Sequence, residues 1–161
     1  MKVVIVGLGT QGEKRKSNCK KRDLVAIVDK FKKKADFKTL YQIPKKSYDT
    51  VFICTPDSQK KKLINFCIKE KKNFLVEKPL LIKNLNINLL AKKCIKAKVV
   101  GYTAYNHRFE PHFIKIKKFL NYKQIGNIFY IKIFYGNGTS KLVKMSPWKD
   151  YGNGVLSDLG S

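Results

Sequence analysis

The stretch VVIVGLGTQG, Val3 to Gly12, decides the fold of this 161-residue chain. Its four apolar residues predict a buried strand, and the pattern Gly7-x-Gly9-x-x-Gly12 follows without a gap. A second apolar run, LVAIVD, ends in Asp29, at the distance expected for a carboxylate that meets a ribose. Strand, glycines and carboxylate together predict a dinucleotide-binding turn, in which Thr10 and Gln11 also face the cofactor.

Each glycine of this turn has a physical task. Gly7 permits the tight turn, Gly9 leaves the space in which a pyrophosphate approaches the backbone, and Gly12 permits close packing of helix and strand. The helix that begins here directs N–H groups at the phosphates. The alternative is a glycine-rich turn of another α/β protein, which the flanking strand, helix and carboxylate disfavour.

The rest of the first hundred residues alternates strand-like and helix-like segments. This alternation predicts an α/β fold with a doubly wound parallel sheet. About twenty residues, including Pro44, separate Asp29 from the next strong strand, and they leave little room for a crossover helix with a strand. The predicted strands are Val3–Val6, Leu24–Val28, Thr50–Cys54, Phe74–Val76 and Val99–Thr103, and the predicted helices are Gln11–Lys21, Lys60–Lys71 and Leu85–Ala97.

The pattern changes after Ala104. A helical pattern covers His112–Leu120, and the alternating apolar residues of Ile125–Tyr135 predict one long antiparallel strand that is buried on both faces. We therefore expect two domains: residues 1–104 form the dinucleotide-binding domain, and residues 105–161 begin an α+β, mainly antiparallel sheet domain. Without partner strands, Ile125–Tyr135 should expose an edge through which chains associate.

Composition limits the classes of function. The formal net charge is +24, but Arg15, Arg22 and Arg108 are the only arginines, and lysines such as Lys60–Lys62 are spread along the chain as on solvated faces. Specific nucleic-acid binding is therefore disfavoured. No apolar stretch reaches transmembrane length, and Met1 leads straight into a strand, so we expect a cytoplasmic protein without a membrane partner.

The sequence contains four cysteines. They show no C-x-x-C pairing and lie in segments with strand or helix patterns. We expect buried free thiols rather than disulfides, and we expect no metal site. The cysteines are Cys19, Cys54, Cys67 and Cys94.

Three polar clusters follow predicted strands at their carboxyl ends, where open α/β sheets bind ligands. Each cluster alone is unremarkable, since a proline often ends a strand and a Glu-Lys pair is often solvated. Together they converge on one rim of the sheet. The clusters are Cys54-Thr55-Pro56, Glu77-Lys78-Pro79 and Tyr105–Phe109.

These motifs, in this order, resemble the Gfo/Idh/MocA oxidoreductases, the family of glucose–fructose oxidoreductase and inositol dehydrogenase. The resemblance covers the whole chain, and its E-K-P and N-x-R-F-x-P motifs are specific. It implies a Rossmann-type first domain and a second domain that supplies substrate contacts. The motifs are Gly7–Gly12, Asp29, Thr55-Pro56, Glu77-Lys78-Pro79, Asn106–Pro111 and Gly152–Gly160.

The resemblance implies reversible hydride transfer between NAD and the hydroxyl of a sugar, sugar nucleotide or polyol. By the same resemblance, Lys78 relays the substrate proton and stabilises the oxyanion, and Asp158 positions the substrate. Asp29 would bind the adenosine ribose and favour NAD, although Lys30 follows at once and leaves NADP open. Near the cofactor the resemblance places Gly7, Gly9, Thr10, Gln11, Gly12, Asp29, Thr55, Pro56, Glu77, Lys78 and Asn106.

Two departures from the family pattern stand out. Many relatives carry a histidine after the T-P turn, where this chain has Gln59-Lys60. The family's D-x-G-x-H segment is present as Asp158-Leu-Gly160-Ser161, and the chain ends one residue short of its histidine, as expected of a fragment. His107 and His112 are better explained as structural residues than as substitutes for it.

We therefore expect this chain to bind cofactor without catalysing turnover, and the full-length protein to form homo-oligomers through its sheet domain. The stretch GNGTSKLVKMSPW most resembles members linked to surface polysaccharides. A non-catalytic nucleotide-binding module and a basic nucleic-acid-binding protein are the alternative functions.

Overall fold

A computed structural model describes residues 1–134 of the chain. Their sheet has five strands, all parallel, in the order β2-β1-β3-β4-β5. The apolar runs form these strands because their side chains are buried on both faces, as in other parallel sheets. The strands are β1 Val3–Val6, β2 Leu24–Val28, β3 Thr50–Ile53, β4 Asn73–Val76 and β5 Gly101–Thr103.

Three helices connect the parallel strands. The chain winds from β1 to β2 in one direction and from β3 to β5 in the other. Because such crossovers are right-handed, this reversal puts helices on opposite faces of the sheet. The predicted doubly wound, Rossmann-type fold is thus confirmed. The helices are α1 Thr10–Asn18, α2 Asp57–Lys69 and α3 Ile87–Ala97.

The connection from β2 to β3 contains no α-helix. An isolated parallel β-bridge between Val28 and Phe37 occupies the position at which a further edge strand would pair with β2. Two 3₁₀ turns, Leu40–Gln42 and Lys45–Ser47, lead on to β3. The reversal of winding therefore occurs between β1 and β3, and their carboxyl ends flank the crevice in which sheets of this kind bind ligands.

The core lies on and around β1, whose four residues are all buried. Helix α2 packs against it with a stripe of buried residues spaced three and four apart, namely Lys60, Leu63, Ile64 and Cys67. Asn86 caps α3, since its side-chain oxygen accepts a hydrogen bond from the Leu89 N–H at 2.9 Å. No helix within residues 1–134 combines the length and the apolar composition needed to span a bilayer.

The chain divides into two compact units, residues 1–104 and residues 105–161. In the second unit, a 3₁₀ turn at Asn106–Phe109 precedes helix α4, Pro111–Asn121. The proline suits the first turn of α4 because its missing N–H has no intrahelical partner there. Within this unit Glu110 contacts both histidines, His107 Nδ1 at 2.5 Å and His112 Nε2 at 3.0 Å.

The predicted strand Ile125–Tyr135 is wrong over residues 125–134, which form no strand. Apolar alternation favours a strand only where neighbouring strands complete the hydrogen-bond ladder, and residues 125–134 pair with none in the part of the chain described. Its large apolar side chains are exposed; Phe129 is 95% exposed and Phe134 93% exposed. Tyr135 and the following turn lie outside the described residues.

Candidate functional site

The glycine turn lies where β1 ends and α1 begins. Gly7 has a φ of +96°, and a Cβ on it would lie 2.5 Å from the carbonyl oxygen of Cys54. A Cβ on Gly12 would overlap the carbonyl oxygen of Gly7. Both positions therefore require glycine, one for its backbone angle and its neighbours, the other for the close packing of α1 on β1.

Gly9 differs from these two glycines. A Cβ built on Gly9 meets no atom within 4 Å, so this glycine faces open space. Gly9 is also the N-cap of α1, and no side chain caps the helix there. The N–H groups of the first turn, at the exposed residues Thr10 and Gln11, are available to an anion beside Gly9.

Asp29, at the end of β2, is tied to the glycine turn. Its Oδ2 accepts a hydrogen bond from the Leu8 N–H at 2.7 Å, and its Oδ1 accepts from the N–H groups of Phe31 and Lys32 at 2.8 and 3.0 Å. Burial opposes ionisation, but these three N–H groups and the Lys32 charge outweigh it and lower the pKa of Asp29. The carboxylate is therefore ionised and retains acceptor capacity for a ribose hydroxyl.

The end of β3 forms the opposite wall of the turn. The Cys54 N–H donates to the Val6 carbonyl at 2.7 Å, which joins β3 to β1 at this edge. Burial, reinforced by the charge of Glu77, raises the pKa of the Cys54 thiol to about 12, although Arg15 and Lys60 oppose the shift. The thiol is therefore protonated at neutral pH and is no nucleophile.

Thr55 follows Cys54 and packs on the glycine turn, its methyl group 3.2 Å from the position of a Cβ on Gly7. The Thr55 hydroxyl is buried and has no hydrogen-bond partner among the described residues. Such a hydroxyl costs free energy unless a water or ligand atom satisfies it. Pro56 comes next, is exposed, and begins α2 as its N-cap.

The Glu77–Pro79 loop follows β4 on the same edge. Glu77 is 8% exposed, and its N–H donates to the Ile53 carbonyl at 2.9 Å. Arg15 of α1 reaches across to it, with Nε and Nη2 both 2.6 Å from Glu77 Oε1. Lys78 is half-buried, and Pro79 is buried. Helix α1, which begins at the glycine turn, thus holds the Glu77 side chain through Arg15.

The expectation that Lys60–Lys62 lies on a solvated face is wrong for Lys60, which is buried. Its side chain is only 2% exposed, and its Nζ donates to the Pro79 carbonyl at 2.7 Å and contacts Asp57 Oδ1 at 2.6 Å. Lys61 and Lys62 are exposed as expected. The sequence spacing could have predicted this burial, because Lys60 precedes Leu63 and Ile64 by three and four residues and so lies on the same buried face of α2.

The structure brings together Gly7–Gly12, Asp29, Thr55-Pro56 and Glu77-Lys78 at one edge of the sheet, the predicted rim. Arg15 and Lys60 join them although sequence reasoning missed both. Asn106 belongs to the second unit, where it begins a 3₁₀ turn and is exposed. Asp158 lies outside the described residues.

The four cysteines are all free thiols. Cys67 and Cys94 are buried as expected, whereas Cys19 and Cys54 are only half-buried. Within residues 1–134, no three His, Cys, Asp or Glu side chains group together as metal ligands would.

The residues at this edge fit a dinucleotide. Gly9 leaves open the volume that a diphosphate would fill, and the uncapped start of α1 offers the diphosphate hydrogen-bond donors. The buried Thr55 hydroxyl has no hydrogen-bond partner among the described residues and can bond to a ligand atom. An ionised carboxylate stands at the end of the neighbouring strand. These features repeat the arrangement by which doubly wound sheets bind NAD.

Comparison with known proteins agrees with this geometry. Residues 1–105 match the model of the GFO_IDH_MocA family, described as an oxidoreductase family with an NAD-binding Rossmann fold. The chain is 28% identical over 148 residues to myo-inositol 2-dehydrogenase of Thermotoga maritima. This match covers 83% of this chain and 44% of that protein. The chain is 27% identical over 149 residues to trans-1,2-dihydrobenzene-1,2-diol dehydrogenase of Xenopus laevis, covering 85% and 45%.

Among solved structures, scyllo-inositol dehydrogenase of Lactobacillus casei, with bound NAD(H) and scyllo-inositol, superposes with a TM-score of 0.76. That match is 19% identical in sequence and covers 98% of this chain and 52% of that one. At this identity the likeness concerns the fold. The chain spans less than half of the length of the two sequence relatives.

Proposed function

The chain belongs to the Gfo/Idh/MocA oxidoreductase family and carries its NAD-binding Rossmann domain, and from this premise we propose that it serves NAD-dependent hydride transfer at a carbinol. The observation that carries the proposal is the contrast at the glycine turn. Gly7 and Gly12 have no room for a side chain, whereas Gly9 has room that nothing in residues 1–134 uses. Free volume at the start of an uncapped helix suits a diphosphate.

The cofactor is held by residues of β1, α1 and β2. The first N–H groups of α1 bind the diphosphate next to Gly9, with Thr10 and Gln11 beside it. Asp29 accepts hydrogen bonds from the adenosine ribose hydroxyls through the lone pairs that Leu8, Phe31 and Lys32 leave unused. A 2′-phosphate would meet the Asp29 charge, so NAD is preferred to NADP.

Lys78 is the catalytic residue of the proposal. Its amine lies beside the substrate hydroxyl, relays the proton of that hydroxyl and stabilises the developing oxyanion. The bound nicotinamide supplies or accepts the hydride. Glu77 and Asn106 lie near the nicotinamide ribose, Thr55 and Pro56 line the groove, and Asp158 orients the substrate. The half-burial of Lys78 supports this role, because a positive charge held in a site with little water stabilises a neighbouring oxyanion more strongly than it does in bulk water.

The substrate is a sugar, a sugar nucleotide or a polyol. The named relatives act on inositol and on a dihydrobenzene diol, which share a six-membered ring carrying a secondary hydroxyl beside a second oxygen. A ring carbinol of this kind, in carbohydrate or surface-polysaccharide metabolism, is the substrate class that we infer. Four free thiols support a reducing compartment, the cytosol, and the full-length protein forms homo-oligomers through its sheet domain.

Cofactor binding by this chain tests the proposal directly. Titration with NADH, followed by the fluorescence of the bound nicotinamide and by calorimetry, should give saturable binding. Gly9→Ala should weaken binding about tenfold, because the methyl group enters the volume of the diphosphate. The same variant should unfold within about 1 kcal/mol of the parent, since its Cβ meets no atom within 4 Å.

Absence of saturable binding to the folded chain would remove the cofactor from the proposal. Unchanged affinity in Gly9→Ala would move the diphosphate away from the glycine turn. Lys14→Met serves as a matched control, because Lys14 is exposed on α1, outside the proposed contacts, and its loss of charge should leave NADH affinity nearly unchanged.

A further inference from the structure

Lys60 is a buried cation that the proposed reaction does not use. It is one of the largest fully buried side chains among the described residues. An ammonium loses its hydration on burial, and only a partner of opposite charge with further acceptors compensates for that loss. Lys60 has both, Asp57 Oδ1 at 2.6 Å and the Pro79 carbonyl at 2.7 Å. Packing alone would favour an apolar residue at this position of α2.

The second contact of Lys60 connects α2 to the loop after β4. Pro79 is the residue next to Lys78, and its carbonyl is a backbone group. On the other side of Lys78, Glu77 is held by its N–H to the Ile53 carbonyl and by the ion pair with Arg15. The residues before and after Lys78 are thus each held by a cation, one from α1 and one from α2.

We propose that Lys60 is a positioning residue for Lys78. By holding the Pro79 carbonyl, its ammonium fixes the backbone from which the Lys78 side chain leaves the sheet edge, and Asp57 holds that ammonium in place. The catalytic meaning of this positioning rests on the proposed function, in which Lys78 meets the substrate hydroxyl. The positioning itself is a property of the folded chain without any ligand.

The reactivity of the Lys78 amine tests the proposal. Competitive acetylation with acetic anhydride at several pH values, read out by peptide mass spectrometry, reports the rate of Lys78 relative to the exposed Lys62. In Lys60→Met, the released loop should expose Lys78 and raise its relative rate about threefold or more. Lys60→Arg, which keeps the charge and N–H donors, should restore a rate within about twofold of the parent.

Lys61→Met is the matched control, since it removes the same charge from an exposed neighbour on the same helix. It should leave the Lys78 rate unchanged. A role of Lys60 in stability alone predicts a lower melting temperature for Lys60→Met and an unchanged Lys78 rate in the folded sample, and that result would overturn the proposal. An equal change in Lys61→Met would also overturn it.

Circular dichroism establishes whether each variant is folded. If Lys60→Met does not fold, Asp57→Asn carries the test, because its side chain is 42% exposed and its loss is better tolerated. Asp57→Asn removes the charge that holds the Lys60 ammonium in place and should raise the acetylation rate of Lys78 about twofold. An unchanged rate would overturn the proposal. NADH titration of the parent chain is a separate measurement. If NADH does not bind, the proposed function is wrong, but the acetylation result still decides whether Lys60 positions Lys78.

Discussion

The glycine turn and the Glu77–Pro79 loop lie on the same edge of the sheet but are built in opposite ways. The turn depends on missing side chains, since Gly7 and Gly12 lie where a Cβ would strike backbone. The loop depends on charged side chains that reach it from α1 and α2. One part of the candidate site therefore depends on the shape of the backbone, and the other depends on direct contacts from charged side chains that are distant in the sequence.

The two constructions should respond differently to mutation. Adding atoms damages the turn, because its backbone groups cannot move apart without separating β1 from α1. Removing charge damages the loop, because a buried partner is then left alone. Three substitutions, taken from the largest expected effect to the smallest, test this contrast.

Gly12→Ala should have the largest effect. The new methyl group overlaps the Gly7 carbonyl oxygen, so α1 must move away from β1, and we expect a loss of about 3 kcal/mol in the free energy of unfolding. Urea denaturation followed by circular dichroism measures it. Gly9→Ala is the matched control. Equal stability of these two alanine variants would contradict the packing argument.

Arg15→Met should cost about 2 kcal/mol of unfolding free energy, less than a fully buried pair because Arg15 is 32% exposed. It leaves the Glu77 carboxylate nearly buried without its cation. The exposed neighbour Lys14 supplies the control, since Lys14→Met should change stability by no more than about 0.5 kcal/mol. If both variants unfold at the same urea concentration, the ion pair does not hold the loop.

Asp29→Asn should cost about 1 kcal/mol at neutral pH, because the amide cannot accept every N–H that the carboxylate accepts. The pKa of Asp29 is lowered in the folded chain, so its ionised form stabilises the fold above the ordinary aspartate pKa. This contribution is lost as the pH falls through the lowered value. The stability difference between parent and variant should therefore shrink below about pH 4.

Denaturation of both proteins between neutral and acidic pH measures this difference. A difference that stays constant down to the most acidic pH would mean that the Asp29 charge contributes nothing. The expected effect is the smallest of the three because Asp29 is half-buried and only part of its hydrogen bonding is lost.

The sequence predicted the sheet strands well because each is a short apolar run between turn residues. It predicted a strand wrongly over residues 125–134, because apolar alternation describes one strand and a hydrogen-bonded ladder needs two. The order β2-β1-β3-β4-β5, with one bridge at Phe37 in place of a further edge strand, could not be read from the apolar runs. Pairing depends on contacts between segments that are distant in the chain.

By itself, the sequence determined the glycine turn, its carboxylate Asp29 and the family, because these depend on residue types at fixed local spacing. Only the tertiary structure showed that Arg15 and Lys60 make specific contacts at the candidate site. Arg15 meets Glu77 across 62 residues, and Lys60 meets Pro79 across 19. The physical reason is burial: a charge becomes a specific contact only where folding removes its water, and local sequence does not record where that happens.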